Sequence, residues 1–222
     1  MATKRPIKKM VSITDEDDIA RGVRSLRRRC PVMRRIHDAT GNPPLRRRPP
    51  GFEGLARIIV GQQVSVASAN AIWERCLATI APLTVETVAA LDDDTLRSAG
   101  LSRPKVRTLR AISTAVIDDG LDLVDFGTAN DEQIHEQLCA VKGIGPWTAD
   151  VYLMFCLGRP DAFAAGDLAL QVAAQHAFEL SYRPTPDELT QHAEAWRPWR
   201  GVSARLLWAY HKVVKDRAGQ PI

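Results

Sequence analysis

The segment Val141-Lys142-Gly143-Ile144-Gly145-Pro146-Trp147-Thr148-Ala149-Asp150 sets two glycines, a proline and a tryptophan between apolar runs. Twenty residues past the tryptophan an acid, Asp167, stands in the nearly charge-free stretch DAFAAGDLAL. Gly143 and Gly145 give the backbone freedom for a tight turn and for close approach of another molecule. Pro146 suits the first turn of a following helix, whose free N–H groups and positive dipole end form an anion site that fits a duplex phosphate. The same Gly-X-Gly pattern also serves ordinary helix–helix turns. Gly166-Asp167 ahead of an apolar run likewise reads as an ordinary helix N-cap. The chemistry on offer is therefore an anion site, an aromatic and a carboxylate, in that order.

The elements that must position them are helices. Residues 52–80 carry apolar residues at three- and four-residue steps over a long window. SRPKVRTLRAISTAVID opens with Ser102 as an N-cap and has Pro104 in its first turn. NDEQIHEQLCAV begins with Asn130 and has Gln133 three residues on, a capping-box pattern. TPDELTQHAEAW gives a fuller version, with Thr185 as cap, Pro186 at the first helical position and Glu188 three after the cap. The opening segment reads as helix, tight turn, helix, the first helix ending at Val141 or Lys142. No period-two alternation flanks an Asn-Gly or Asp-Gly turn, so strands are not expected. NPPLRRRPP (42–50) reads as a linker or irregular loop. The expected fold is all-α.

The 222 residues, 45% apolar, suffice for one large domain or two small lobes. The four cysteines (Cys30, Cys76, Cys139, Cys156) are scattered, which argues against a zinc site, a four-cysteine iron–sulfur cluster and a disulfide framework. The start, MATKRPIKKM, is basic without an apolar run behind it, and no apolar run approaches a membrane span. A cytoplasmic protein with no membrane partner is expected. The net charge of +4 hides an asymmetry: within 21–48 there are ten arginines and one acid, Asp38. Runs such as RSLRRRC and PLRRRPP suit phosphate contacts, because arginine forks match phosphate oxygens and release condensed counterions. A solvated basic face or disordered arm is the other reading of the same charge.

LCAVKGIGPWTADVYLMFCLGRPDAFAAGD resembles the helix-hairpin-helix plus Gly/Pro-Asp signature of base-excision DNA glycosylases, and within them the 3-methyladenine DNA glycosylase II branch. Three further segments are similar to that branch in order and spacing. FEGLARIIVGQQVSVASA resembles its first core helix and duplex-probing loop, GLSRPKVRTLRAIS its next segment, and WRPWRGVSARLLWAYH its closing helix. The likeness spans roughly residues 50–212.

By this resemblance Asp167 falls on the catalytic aspartate. A carboxylate suits N-glycosidic cleavage, because the sugar gains oxocarbenium character as the base leaves, and a nearby negative charge stabilises it or orients the attacking water. Trp147 stands where bifunctional relatives carry a lysine nucleophile, and tryptophan cannot form a Schiff base. The resemblance therefore implies a monofunctional enzyme without lyase activity. Trp147 corresponds to a wall of the base pocket and Trp208 to the aromatic that stacks on the extruded base; core packing is the alternative for both. An alkylated purine is cationic, and its attraction to a desolvated tryptophan face reaches about 2 kcal/mol. Base flipping leaves a hole in the duplex; the wedge that fills it corresponds to Gln63, with Gln62 beside it, a departure from the bulky apolar wedge of the best-known bacterial relative. Gly143, Gly145 and Thr148 correspond to DNA contacts of the hairpin. A monovalent-cation site is implied at the backbone carbonyls of Cys139, Val141 and Ile144, with no metal held by side chains and no cofactor.

Two departures from the branch follow. Too few residues precede Phe52 for the extra α/β domain that larger bacterial members begin with. Ala209 adjoins Trp208 where those members often have a second aromatic, so a more open pocket is expected, and no group that hydrogen-bonds a neutral base can be pointed to. The expected architecture is two helical lobes with a cleft between them. Residues 1–50 form a basic segment that packs with the C-terminal lobe or is partly flexible; 51–165 form a helical lobe with the hairpin; 166–222 form a C-terminal helical lobe that starts at the catalytic acid. The implied activity is hydrolysis of alkylated bases of the 3-methyladenine and 7-methylguanine type from damaged duplex DNA, by a monomer. The rival readings are a glycosylase for uracil or mismatched pyrimidines and a non-catalytic helix-hairpin-helix DNA-binding module.

Overall fold

The computed structural model describes residues 12–126 and 129–217. The basic start at 1–11 lies outside the described residues. Within them the chain runs α1 (Glu16–Arg29), α2 (Pro31–Thr40), α3 (Phe52–Val60), α4 (Val66–Thr79), α5 (Val85–Ala90), α6 (Asp93–Ser98), α7 (Arg103–Ile117), α8 (Asp131–Ala140), α9 (Pro146–Phe155), α10 (Leu168–Ala177), α11 (Pro186–Ala193) and α12 (Arg200–Arg217). A 3-10 turn, Glu194–Trp196, precedes α12. No strand occurs among the described residues.

Local chemistry sets most of these boundaries. The Asn130–Gln133 and Thr185–Glu188 capping boxes both form, each side chain taking the other's backbone N–H. Ser102 holds the N-cap position of α7, but its side chain makes no cap bond. The long apolar window at 52–80 is broken: Gly61 caps α3, and the Ser65 side chain starts α4 by accepting from Ser68 N–H. Two helices that the arginine count hides open the described chain. Ile19, Val23 and Leu26 lie on one buried face of α1, and Met33 and Ile36 do the same on α2, with the arginines turned outward.

Helix packing divides into two groups. α1 and α2 join α10, α11 and α12, while α3 to α9 pack among themselves. Backbone and buried polar bonds tie one group to the other. The Ile13 N–H donates to the Gly158 carbonyl at 2.7 Å and the Arg48 N–H to the Phe155 carbonyl at 2.9 Å. Arg205 on α12 is 3% exposed; it donates to the Met154 carbonyl at 2.9 Å and lies 4.7 Å over the Phe155 ring. The irregular 42–50 loop passes close over α3 at Gly54, where a Cβ would sit 2.2 Å from the Pro49 carbonyl oxygen. Only glycine admits that approach.

The hairpin turn has the same character. Gly143 sits at φ +95°, and a Cβ there would meet Thr108 Oγ1 at 2.1 Å. Gly143→Ala therefore meets both a left-handed backbone and a collision with α7, and is expected to destabilise the fold by about 1–3 kcal/mol. Chemical denaturation of the two proteins side by side measures this.

Candidate active site

Asp167 is the N-cap of α10. Its Oδ1 accepts the Ala169 N–H at 2.9 Å and the Leu170 N–H at 3.1 Å. It is also held by two indoles. Trp147 Nε1, on the first turn of α9, donates to Oδ2 at 2.8 Å, and Trp208 Nε1, on α12, donates to Oδ1 at 3.1 Å. The helix-cap and active-site readings of this acid are thus both realised: the cap fixes the carboxylate, and the indoles aim it. Three residues separated by up to 61 positions in the chain meet at one group.

The three residues line a cavity of about 330 Å³, with Val151 and Phe155 as apolar wall. Trp208 packs against Phe155 with ring centroids 5.6 Å apart and planes at 31°. The cavity is far more polar than the sequence suggests. Arg46 and Arg48 reach it from the 42–50 loop, Arg57 from α3, and His211 and Lys212 from α12. Burial, aided by Lys215, pushes the His211 imidazole below the usual histidine range, with Asp167 pulling the other way, so near neutral pH it adds no full charge beside the carboxylate. Burial also lowers the Arg48 guanidinium from its usual value.

Other expected residues separate in the fold. Ala209 does not border this cavity. It lines a second one of about 310 Å³ that shares Trp208, Arg46 and Lys212 and includes the buried Arg205, because a residue one step along a helix points about 100° away from its neighbour. Thr148 is 2% exposed and does not face outward; its hydroxyl accepts the Gln62 side-chain amide at 2.7 Å. Gln62 is thereby turned inward, and its carbonyl, with that of Val60, accepts from Lys105 Nζ. Gln63 is exposed at φ +56°, flanked by the exposed Val64 and Val66. Of the two glutamines it alone stands at the loop tip. Lys142, Gly143 and Pro146 form the exposed surface of the hairpin, with Gly145 half-buried. The Val141 carbonyl accepts the Ile144 N–H at 3.0 Å and keeps a second lone pair that suits a cation. No cluster of three or more His, Cys, Asp or Glu side chains suited to a metal occurs among the described residues.

A hairpin with an exposed glycine turn, set ahead of a capped and doubly clasped aspartate in a cleft, defines a helix-hairpin-helix DNA-repair architecture. The family model described as HhH-GPD superfamily base excision DNA repair protein matches residues 56–198, and the chain belongs to that superfamily. It is similar to DNA-3-methyladenine glycosylase 1 of Schizosaccharomyces pombe, 30% identical over 166 residues that cover 73% of each chain. The solved structure of S. pombe 3-methyladenine DNA glycosylase in complex with abasic DNA superposes with a TM-score of 0.76 at 27% identity, covering 85% of this chain and 95% of that one. The chain spans 58% of the length of a Bacillus subtilis relative to which it is 30% identical over 165 residues.

The two glutamines make a direct test of the loop. Gln62→Ala removes the bond to Thr148 and is expected to lower stability by about 1 kcal/mol. Gln63→Ala, at an exposed tip, is expected to leave the denaturation midpoint in place and to weaken affinity for duplex DNA. Denaturation and binding titrations on both variants separate the two roles.

Proposed function

We propose that the chain is a monofunctional DNA glycosylase that extrudes an alkylated base of the 3-methyladenine or 7-methylguanine type from duplex DNA and hydrolyses its N-glycosidic bond. The observation that carries the reading is the Asp167 carboxylate, held in a cavity by two neutral indole donors and a helix start. Relatives named for 3-methyladenine excision support the substrate class.

The geometry divides the carboxylate's labour. Oδ1 takes three donors and is the fixed end, while Oδ2 takes only Trp147 Nε1 and keeps lone-pair capacity for the reaction. As the bond between sugar C1′ and the base nitrogen breaks, the electron pair leaves with the base and positive charge grows on the sugar. Oδ2 stabilises that charge and accepts a hydrogen bond from the water that attacks C1′. None of the four donors is a cation, so the charge is oriented without being neutralised. The face of Trp208 on the cavity stacks on the extruded ring, as cation–π attraction favours for an alkylated purine. Gln63 enters the space that the base vacates, and the hairpin docks on phosphate. A monovalent cation on the carbonyls of Cys139, Val141 and Ile144 would stiffen that turn. The protein acts as a monomer on one lesion.

By the resemblance, Trp147 stands where strand-cleaving relatives carry an amine, and an indole cannot form a Schiff base. Lys212 lines the cavity from an exposed position on α12 and is the amine to watch. Incubation with methylated duplex, with chromatography of the released bases, tests the activity. Asp167→Asn is expected to lose base release a hundredfold or more, about 3 kcal/mol of transition-state stabilisation, while still binding DNA. Borohydride added during turnover is expected to trap no protein–DNA adduct. Near-wild-type release by Asp167→Asn, or an adduct at Lys212, would contradict the proposal.

A further inference from the structure

The arginine run that reads as one phosphate patch in the sequence splits in the fold. Arg46 is exposed, whereas Arg48 is half-buried in the wall of the Asp167 cavity. The backbone here is tied to the helices beneath it. The Arg48 N–H donates to the Phe155 carbonyl at 2.9 Å, and the next residue, Pro49, is wedged over Gly54. Among the described residues no carboxylate pairs with it and its guanidinium has no hydrogen-bond partner; the charged side chains acting on it are Arg57 and Arg46, both cations, besides the buried thiol Cys156. Arg57 is itself engaged over the Trp73 ring at 5.2 Å. The Arg48 guanidinium nitrogens are not among the buried atoms left unpaired, so they stay open and free to bond a ligand in the cavity that the residue lines.

Arg48 and Asp167 line the same cavity, and among the described residues no ion pair or hydrogen bond joins them. A purine whose glycosidic nitrogen is at Asp167 turns the far edge of its six-membered ring towards the rest of the cavity. In guanine that edge carries the O6 acceptor; in adenine it carries the N6 amino donor. A guanidinium offers donors only. We propose that Arg48 is a specificity-determining residue that donates to the carbonyl oxygen of the extruded base and favours alkylated guanine over alkylated adenine. The inference rests on the glycosylase reading of the same cavity. Alkylation at a ring nitrogen gives both purines the same positive charge, so repulsion by Arg48 is common to them. The donor–acceptor match is what differs, and an amino edge leaves the guanidinium unpaired.

The test is the ratio of 7-methylguanine to 3-methyladenine released from one dimethyl-sulfate-treated duplex, compared at initial rates for wild type, Arg48→Met and Arg48→Lys. Both bases come from the same reaction, so the ratio is independent of the folded fraction. It is expected to fall at least about tenfold in Arg48→Met, the worth of one charge-assisted hydrogen bond. Arg48→Lys, which keeps the charge and loses the fork, is expected to give an intermediate ratio. An equal loss of both bases, the result for an arginine that binds phosphate, would overturn the assignment, as would an unchanged ratio. If Arg48→Met releases neither base, the Arg48→Lys ratio decides by itself: a fall supports the assignment and constancy overturns it. A wild-type protein that releases neither base removes the glycosylase reading, and this inference with it.

Discussion

The Asp167 carboxylate accepts two amides from the start of α10, an indole from α9 and an indole from α12. Its geometry therefore depends on three helices keeping their registry. Every donor is neutral. An arginine or lysine in the same place would hold the group as well, but it would cancel its charge; in the reaction proposed above, neutral donors orient the carboxylate and leave its field available to the developing oxocarbenium ion. Arg46, Arg48, Arg57 and Lys212 line the cavity as well, but among the described residues none of them forms an ion pair with Asp167, and Lys212 is exposed.

The rest of the structure maintains that registry. Arg205 joins α12 to the end of α9 through the Met154 carbonyl and the Phe155 ring, one turn before Trp208. Tyr152, fully buried on α9, accepts the Gly51 N–H at 2.7 Å and donates to the Leu123 carbonyl, which fixes the start of α3. The 42–50 loop is held by the Arg48 amide and by its passage over Gly54. The cavity is thus assembled from segments that span most of the chain.

How much of this was legible follows from how local each signal is. Capping boxes at Asn130 and Thr185 and the hairpin around Gly143 are written in residues three or four apart, and the structure realises them as read. Asp167, Trp147 and Trp208 meet in one site because the resemblance carried long-range register that composition does not. Local signals failed where the decisive partner is remote. The arginines of α1 and α2 obscured an amphipathic pattern that Ile19, Val23 and Leu26 do carry. Thr148 sits in the hairpin sequence yet is buried by Gln62, 86 residues upstream. Ala209 follows Trp208 directly and faces another cavity. The 46–48 run divides between rim and wall according to a loop path that Gly54, Tyr152 and Phe155 dictate.

Both indoles donate to the carboxylate. The most direct test is a cycle of single-turnover excision rates on a duplex with one 7-methylguanine, under saturating enzyme. Trp147→Phe keeps the pocket wall but loses the donor, and it is measured in the wild-type and Asp167→Asn backgrounds. A clear rate loss is expected in the wild-type background, and it largely disappears once Asp167 is Asn, because the donor then has no carboxylate to aim. An equal loss in both backgrounds would show that Trp147 acts on the base alone and would contradict that aiming role.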